Sequence, residues 1–228
     1  MFKNEITTPD FEKDEIIKRF YERNKRIIEK LLEEIKNKIG EGMTAEVYFL
    51  DSNEKICLKI LKPTKDVPYH VPLEREMNFL SDLQGIDKEV RVPRPYLTAD
   101  YSENESEEGL RFLIMERLDA VSVRDVLDGK EALPSGFNIV NFRNKISSFL
   151  EKMHEKNIYH RDFHAGNIMI DRKTGNFYVI DFGASTKDFG NDNPYIEIRS
   201  GDSVNFTEDE ANLTRVCLAI KNILLTNR

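Results

Sequence analysis

Apolar residues recur along the chain with two different periods, and the switches between them mark three stretches. From residue 8 to about 38 the spacing is helical, with Phe11, Ile16, Ile17, Phe20, Ile27, Ile28, Leu31, Leu32 and Ile35 sharing a face. Thr8 suits an N-cap and Pro9 the first helical position, where a missing N–H costs nothing. From 39 to 116 the apolar runs are short and β-like. Val47–Leu50 and Ile56–Leu61 flank Asp51-Ser52-Asn53-Glu54, which predicts a hairpin. Pro72 opens a helical stretch carrying Leu73, Met77, Leu80 and Leu83. Val92–Thr98 and Leu110–Met115 are further expected strands, separated by a charged run at 102–109 that reads as a solvated loop.

From 117 to 228 the pattern is mainly helical around one small hairpin. Phe142, Ile146, Phe149, Leu150 and Met153 mark an amphipathic helix over Phe137–Glu155. Ile168–Ile170 and Phe177–Ile180 are short strands about a turn at 172–176. Thr207 and Glu210 form a capping box before a last helix with Leu213, Val216, Ile220 and Leu224. The expected organisation is a helical extension at 1–38, a strand-rich lobe at 39–116 and a mainly helical lobe at 117–228.

Composition narrows the function. The 228 residues suffice for one good-sized domain or two small lobes. A net charge of -7 gives no electrostatic reason to expect nucleic acid as a partner. The two cysteines, Cys57 and Cys217, lie in apolar runs, which argues against a disulfide framework and for a reducing compartment. A cytoplasmic location is therefore expected, with export as an effector left open. No apolar stretch approaches the length of a bilayer crossing, and Met1-Phe2-Lys3-Asn4-Glu5 does not open like a signal peptide.

Candidate chemistry enters at four places. Ile39-Gly40-Glu41-Gly42-Met43-Thr44-Ala45-Glu46-Val47 sets two glycines between expected strands, which lets a backbone approach phosphates closely. Ala45 stands where a third glycine would complete the pattern. No Gly-Lys-Ser/Thr follows, so this is not a Walker loop, and the strand that follows argues against a dinucleotide fingerprint. Lys59, amid Ile56-Cys57-Leu58 and Ile60, must find an anion or reach along its stem to solvent. Its functional reading is a phosphate-binding lysine held by a carboxylate, with Glu76 the natural partner and Glu74 the alternative. His160-Arg161-Asp162-Phe163-His164-Ala165-Gly166-Asn167 and, at the end of a strand, Asp181-Phe182-Gly183 complete the set. Carboxylates and a carboxamide near one turn suit a divalent cation and the activation of a hydroxyl. His160 and His164 have the spacing of a helical zinc pair, but Gly166, Asn167 and the strand behind them argue against a helix there.

In this order the segments resemble the protein-kinase superfamily, over roughly residues 36–185. The resemblance implies an α+β, two-lobed protein-kinase-like fold. It would have a five-stranded antiparallel N-lobe sheet plus one helix, a minimal and mainly helical C-lobe, and an extra N-terminal helix. It implies ATP and Mg2+ as cofactors. Gly40, Gly42, Ala45 and Val47 would cover the nucleotide, and Lys59 would bind its α/β-phosphates while paired with Glu76. Cys57 and Met169 would sandwich the base, Met115 would be the gatekeeper, and the backbone at Glu116 and Leu118 would meet adenine. Asp162 would receive the substrate hydroxyl proton, and Asn167 and Asp181 would hold the metal.

Two departures from the family pattern matter. His164 stands where Ser/Thr kinases usually carry a lysine, and this is similar to small-molecule kinases of the aminoglycoside and choline kinase type. It either contacts the γ-phosphate or orders the loop, and a neutral imidazole suits the second better. Only residues 184–228 follow Gly183, with no Ala-Pro-Glu among them. That resembles reduced kinases which depend on an activating protein partner. The expected function is an ATP- and Mg2+-dependent phosphotransferase acting on Ser/Thr of a protein, itself included. The alternatives are a phosphotransferase for a small hydroxylated molecule and a non-catalytic ATP-binding signalling module. Control through phosphorylation of Ser185 or Thr186 is not expected.

Overall fold

The computed structural model describes residues 2–15, 17–19, 38–42, 44–50, 53–62, 72–101, 110–187 and 208–226. In chain order the first half holds β1 (Phe2–Thr7), α1 (Pro9–Lys13), β2 (Lys38–Glu41), β3 (Ala45–Leu50), β4 (Asn53–Leu61), α2 (Leu73–Asp82), β5 (Val90–Arg91), β6 (Pro95–Tyr101) and β7 (Leu110–Glu116). The second half holds β8 (Ala120–Ser122), α3 (Val123–Leu127), α4 (Ile139–Glu155), β9 (Ile158–Tyr159), β10 (Ile168–Asp171), β11 (Phe177–Val179), β12 (Thr186–Lys187) and α5 (Glu208–Thr226). Contacts divide the chain into two compact units, Met1–Ser81 with Arg94–Arg117, and Asp82–Pro93 with Leu118–Arg228. No described helix is long and apolar enough to cross a membrane.

The first unit is an antiparallel sheet in the order β1-β6-β7-β4-β3-β2. It has six described strands where five were expected, because Phe2–Thr7 pairs with β6 instead of preceding a helix as loose chain. Strand alternation gives β4 two faces. Ile56, Leu58 and Ile60 join Tyr96, Leu97, Ala99, Phe112 and Ile114 in a core that also takes up Phe11 and Ile17 from the N-terminal segment. Cys57, Lys59 and Leu61 therefore belong to the other face, on which Lys59 meets Glu76 of α2.

The single helix expected from residue 8 does not form as such. Thr8 does cap it, accepting from the Phe11 N–H at 3.2 Å, and Pro9 opens it, but α1 stops at Lys13. Asp14 leaves the helical conformation, and its carboxylate accepts the Ile17 N–H at 3.1 Å. A short acidic side chain that bonds the backbone locally competes with the helix ladder and starts a new segment. Residues 15 and 17–19 are helical, and the apolar positions at 27–35 lie outside the described residues.

The second unit also differs from its pattern. The strand expected at Val92–Thr98 begins only at Pro95, as β6 of the first unit, and the separate short strand β5 just before it pairs in parallel with β11 in the second. Pro93 and Pro95 explain the break, since neither offers an N–H to a ladder. The hairpin β10–β11 is flanked by β5 and β8 in a four-stranded sheet, so this unit holds more strand than the pattern suggests. Helix α4 forms two residues later than expected, with Asn138 accepting the Val140 and Asn141 N–H groups at 2.9 Å. Phe142, Ile146, Phe149, Leu150 and Met153 are fully enclosed. Leu213, Val216 and Ile220 of α5 are buried as expected, while Thr207 of the supposed capping box lies outside the described residues.

Candidate active site

Two groups of candidate side chains can be followed, one in each unit. In the first, the register of β3, β4 and β7 sets Lys59 opposite Val47 on one side and Leu113 on the other. Its stem is buried among apolar neighbours, so its ammonium needs an anion. Glu76, one turn into α2, supplies it: Lys59 Nζ donates to Oε1 at 2.8 Å and to Oε2 at 2.7 Å. Glu74 is not the partner seen.

Gly40 lies on β2 opposite Val47, and the Gly42 N–H donates to the Ala45 carbonyl at 2.8 Å. A Cβ at either glycine would meet its nearest chain atom at 3.6 Å, an ordinary contact. The chain's own packing therefore does not demand glycine at either place. Between them, Glu41 accepts from Lys38 at 2.6 Å and Lys62 at 2.9 Å, and these two ammonium groups hold its carboxyl down at about 2. Cys57 lies opposite Met115, and burial pushes its thiol up to about 12. Glu116 closes β7, its N–H donating to the Arg94 carbonyl at 2.8 Å.

The second unit contains Leu118, Asp162, Asn167, Met169 and Asp181. Here the loop between β9 and β10 is organised by its own side chains. Asn167 Nδ2 donates to the Asp162 carbonyl at 2.9 Å, which fixes the Asp162 backbone. The Ile180 N–H donates to the Asn167 carbonyl at 3.0 Å, and Ile168 pairs with Val179. That register leaves Asn167 and Asp181 at the same end of the β10–β11 hairpin. Met169 is half-buried on β10 opposite Tyr178. Asp181 has φ 64° and ψ 70°, and Arg161 has φ 66°, a region L-residues occupy only when surroundings enforce it.

The enforcement comes partly from His160, which is fully buried. Its Nδ1 accepts the Asp162 N–H at 3.4 Å, so Nε2 carries the proton and donates to the Ile180 carbonyl at 3.0 Å. The ring lies 4.8 Å from that of Phe182 and 5.6 Å from that of Phe163. With both ring nitrogens engaged, His160 is a brace between the two motifs and not a metal ligand.

Asp209 is the residue that the pattern missed. Buried in the first turn of α5, it accepts the His160 N–H at 3.0 Å, the Arg161 N–H at 3.2 Å and His154 Nε2 at 3.1 Å. Burial alone would raise its carboxyl, but the bond from His154 and then the nearby His160 outweigh that and hold it below the ordinary 3.8. A signal was present: Asp209 shares a helical face with Leu213, Val216 and Ile220, and an acid on a buried face needs partners. Arg161 donates from Nε to the Thr186 hydroxyl at 3.0 Å and lies 5.2 Å over the Tyr159 ring. Ser185 donates to the His160 carbonyl at 3.3 Å, and both hydroxyl residues are buried.

The donor set at 167 and 181 fits Mg2+. With Asn167 Nδ2 engaged, its carboxamide oxygen is the atom left for a cation, and Asp181 adds a carboxylate. Hard oxygen donors of this kind are what that ion selects.

Residues 33–199 match the protein kinase domain family. Among curated proteins the chain is similar to a mitogen-activated protein kinase kinase 2 of Arabidopsis thaliana. The identity is 30% over 151 residues, which is 65% of this chain and 39% of that protein. It is also similar to a serine/threonine-protein kinase of Saccharomyces cerevisiae. There the identity is 28% over 141 residues, covering 61% of this chain and 27% of that protein. The matched region spans well under half the length of these curated relatives.

Proposed function

The chain belongs to the protein kinase family, and we propose that it transfers the γ-phosphoryl group of ATP to a serine or threonine hydroxyl of a protein, itself included. In this reading Asp162 accepts the hydroxyl proton as the hydroxyl oxygen bonds to the γ-phosphorus. The bond from that phosphorus to the β–γ bridging oxygen breaks, and ADP leaves. Lys59, held by Glu76, binds the α- and β-phosphates. Gly40, Gly42, Ala45 and Val47 cover the nucleotide, with the glycines keeping room for a close approach from outside the chain. Cys57 and Met169 flank the base, Met115 lines its pocket, and the backbone at Glu116 and Leu118 meets its edge. Asn167 and Asp181 would hold Mg2+, which supplies charge neutralisation of the phosphates.

The observation that carries this reading is Asn167, which holds the Asp162 carbonyl through its side chain and the N–H of Ile180, the residue before Asp181, through its carbonyl. Phosphoryl transfer depends mainly on position and charge, and this one residue couples the proposed proton acceptor to the proposed cation ligand. The buried, bonded hydroxyls of Ser185 and Thr186 support a reading in which neither needs to be phosphorylated.

One observation favours a second acceptor class: His164 in place of the usual lysine, which leaves a small hydroxylated molecule as the alternative. Labelled ATP with Mg2+, offered with a generic protein substrate and separately with a metabolite extract, tests the two. Label on protein, or on the chain itself, supports the first acceptor. ATP consumption that is lost in Asp162→Ala, with only small molecules labelled, would replace it by the second. ATP binding without any turnover would contradict both.

A further inference from the structure

His164 caps the turn Ala165–Asn167, and its Nδ1 accepts the Gly166 N–H at 3.0 Å. A backbone N–H can only donate, so Nδ1 carries no proton while this bond is made. The ring proton of the neutral imidazole is then on Nε2. That nitrogen lies 3.7 Å from Asp162 Oδ2. Gly166 is part of the same arrangement, because a Cβ there would stand 2.9 Å from His164 Cε1 and 3.1 Å from Nδ1. A side chain at 166 would push the ring off its own cap.

We propose that His164 is a positioning residue for Asp162, acting through the tautomer that its bond to Gly166 selects. The Nε2–H steers one carboxylate oxygen and leaves the other to accept the substrate hydroxyl proton. At 3.7 Å the contact is longer than a hydrogen bond. Such catalytic contacts are often long in the free enzyme and tighten when substrate binds. The role assigned here excludes His164 as a cation on the γ-phosphate, because a doubly protonated ring could not accept from Gly166. The proposal rests on the reading of Asp162 as proton acceptor.

The test compares His164→Asn, His164→Ala, Gly166→Ala and Asp162→Asn in the full chain. An asparagine oxygen accepts an N–H two residues on, so His164→Asn keeps the cap and loses the Nε2–H. It should melt like the wild type and keep its KM for ATP, while kcat falls by up to about a hundredfold, the cost of misplacing a catalytic group by about 1 Å. Gly166→Ala should lower kcat in the wild-type background and add little in His164→Ala. Wild-type kcat in His164→Asn beside an inactive Asp162→Asn would overturn the positioning role alone. Wild-type turnover in Asp162→Asn would overturn the reading beneath it. Long-range 15N NMR of the imidazole gives a check independent of turnover: a proton on Nε2 is expected, and a proton on Nδ1 would overturn the proposal.

Discussion

Asp209 accepts the backbone N–H of His160 at 3.0 Å, across 49 positions of sequence. Its second oxygen takes the Arg161 N–H, so one carboxylate orders the two residues that precede Asp162. Asp209→Asn keeps the shape but replaces one acceptor oxygen with a donor, which cannot satisfy a backbone N–H. Leaving such a buried donor unmatched costs roughly 1–3 kcal/mol. Urea unfolding should show that loss, and turnover should fall by more than the lost stability accounts for, because the loop carrying Asp162 loosens.

The same carboxylate sets an acid limit. Its folded-state value lies below the ordinary 3.8, so the unfolded chain takes up the proton first as pH falls. The stability it contributes is complete above that ordinary value and is lost as pH falls through the lowered one. Asp87 behaves likewise: burial raises its carboxyl, but Lys152 and the Glu89 and Val90 N–H groups hold it low. Stability measured from pH 5 downward should therefore fall more steeply in the wild type than in Asp209→Asn. Equal slopes would show that Asp209 is not depressed in the folded chain.

Lys59 and Glu76 separate stability from activity. Removing one partner leaves the other charge buried and uncompensated, at a cost of about 3–5 kcal/mol. Lys59→Met should therefore lower the melting temperature clearly. Lys59→Met with Glu76→Leu should recover much of that loss, because two apolar side chains of similar size need no partner. Neither variant should transfer phosphate at more than a small fraction of the wild-type rate. A double variant with both stability and turnover restored would contradict the role given to Lys59.

How much of this was legible in the sequence depends on the reach of each interaction. Lys59 with Glu76, and Asp162 with Asn167, lie in short segments whose residue types announce their chemistry, and the structure brings each pair together. Thr8 and Pro9 were readable as a helix start for the same local reason. Phe2–Thr7 was not readable as a strand, since its pairing is with residues near 100 and its own alternation is weak. Asp14 ends the helical run by a side-chain bond that periodicity does not register. The Asp209 bonds could be anticipated only in part, from an acid on an apolar helical face, and nothing local named His160 as the partner.

Phe11 and Ile17 cover the sheet face opposite Lys59, and Thr8 ties them down by donating its hydroxyl to the Pro95 carbonyl at 2.8 Å. The N-terminal segment is thus part of the first unit's core. Phe11→Ala should destabilise the chain by about 3–5 kcal/mol, read as a fall in the urea midpoint. A change below about 1 kcal/mol, the level of ordinary surface substitutions, would show that this layer is dispensable.

The most direct measurement is phosphate transfer from labelled ATP with Mg2+ by wild type and Asp162→Asn, with ATP binding and melting temperature followed on the same samples. The account predicts that the variant binds ATP and melts like the wild type, while transfer falls by about two to four orders of magnitude, the usual contribution of a general base. Transfer at the wild-type rate in a folded, ATP-binding Asp162→Asn would contradict it.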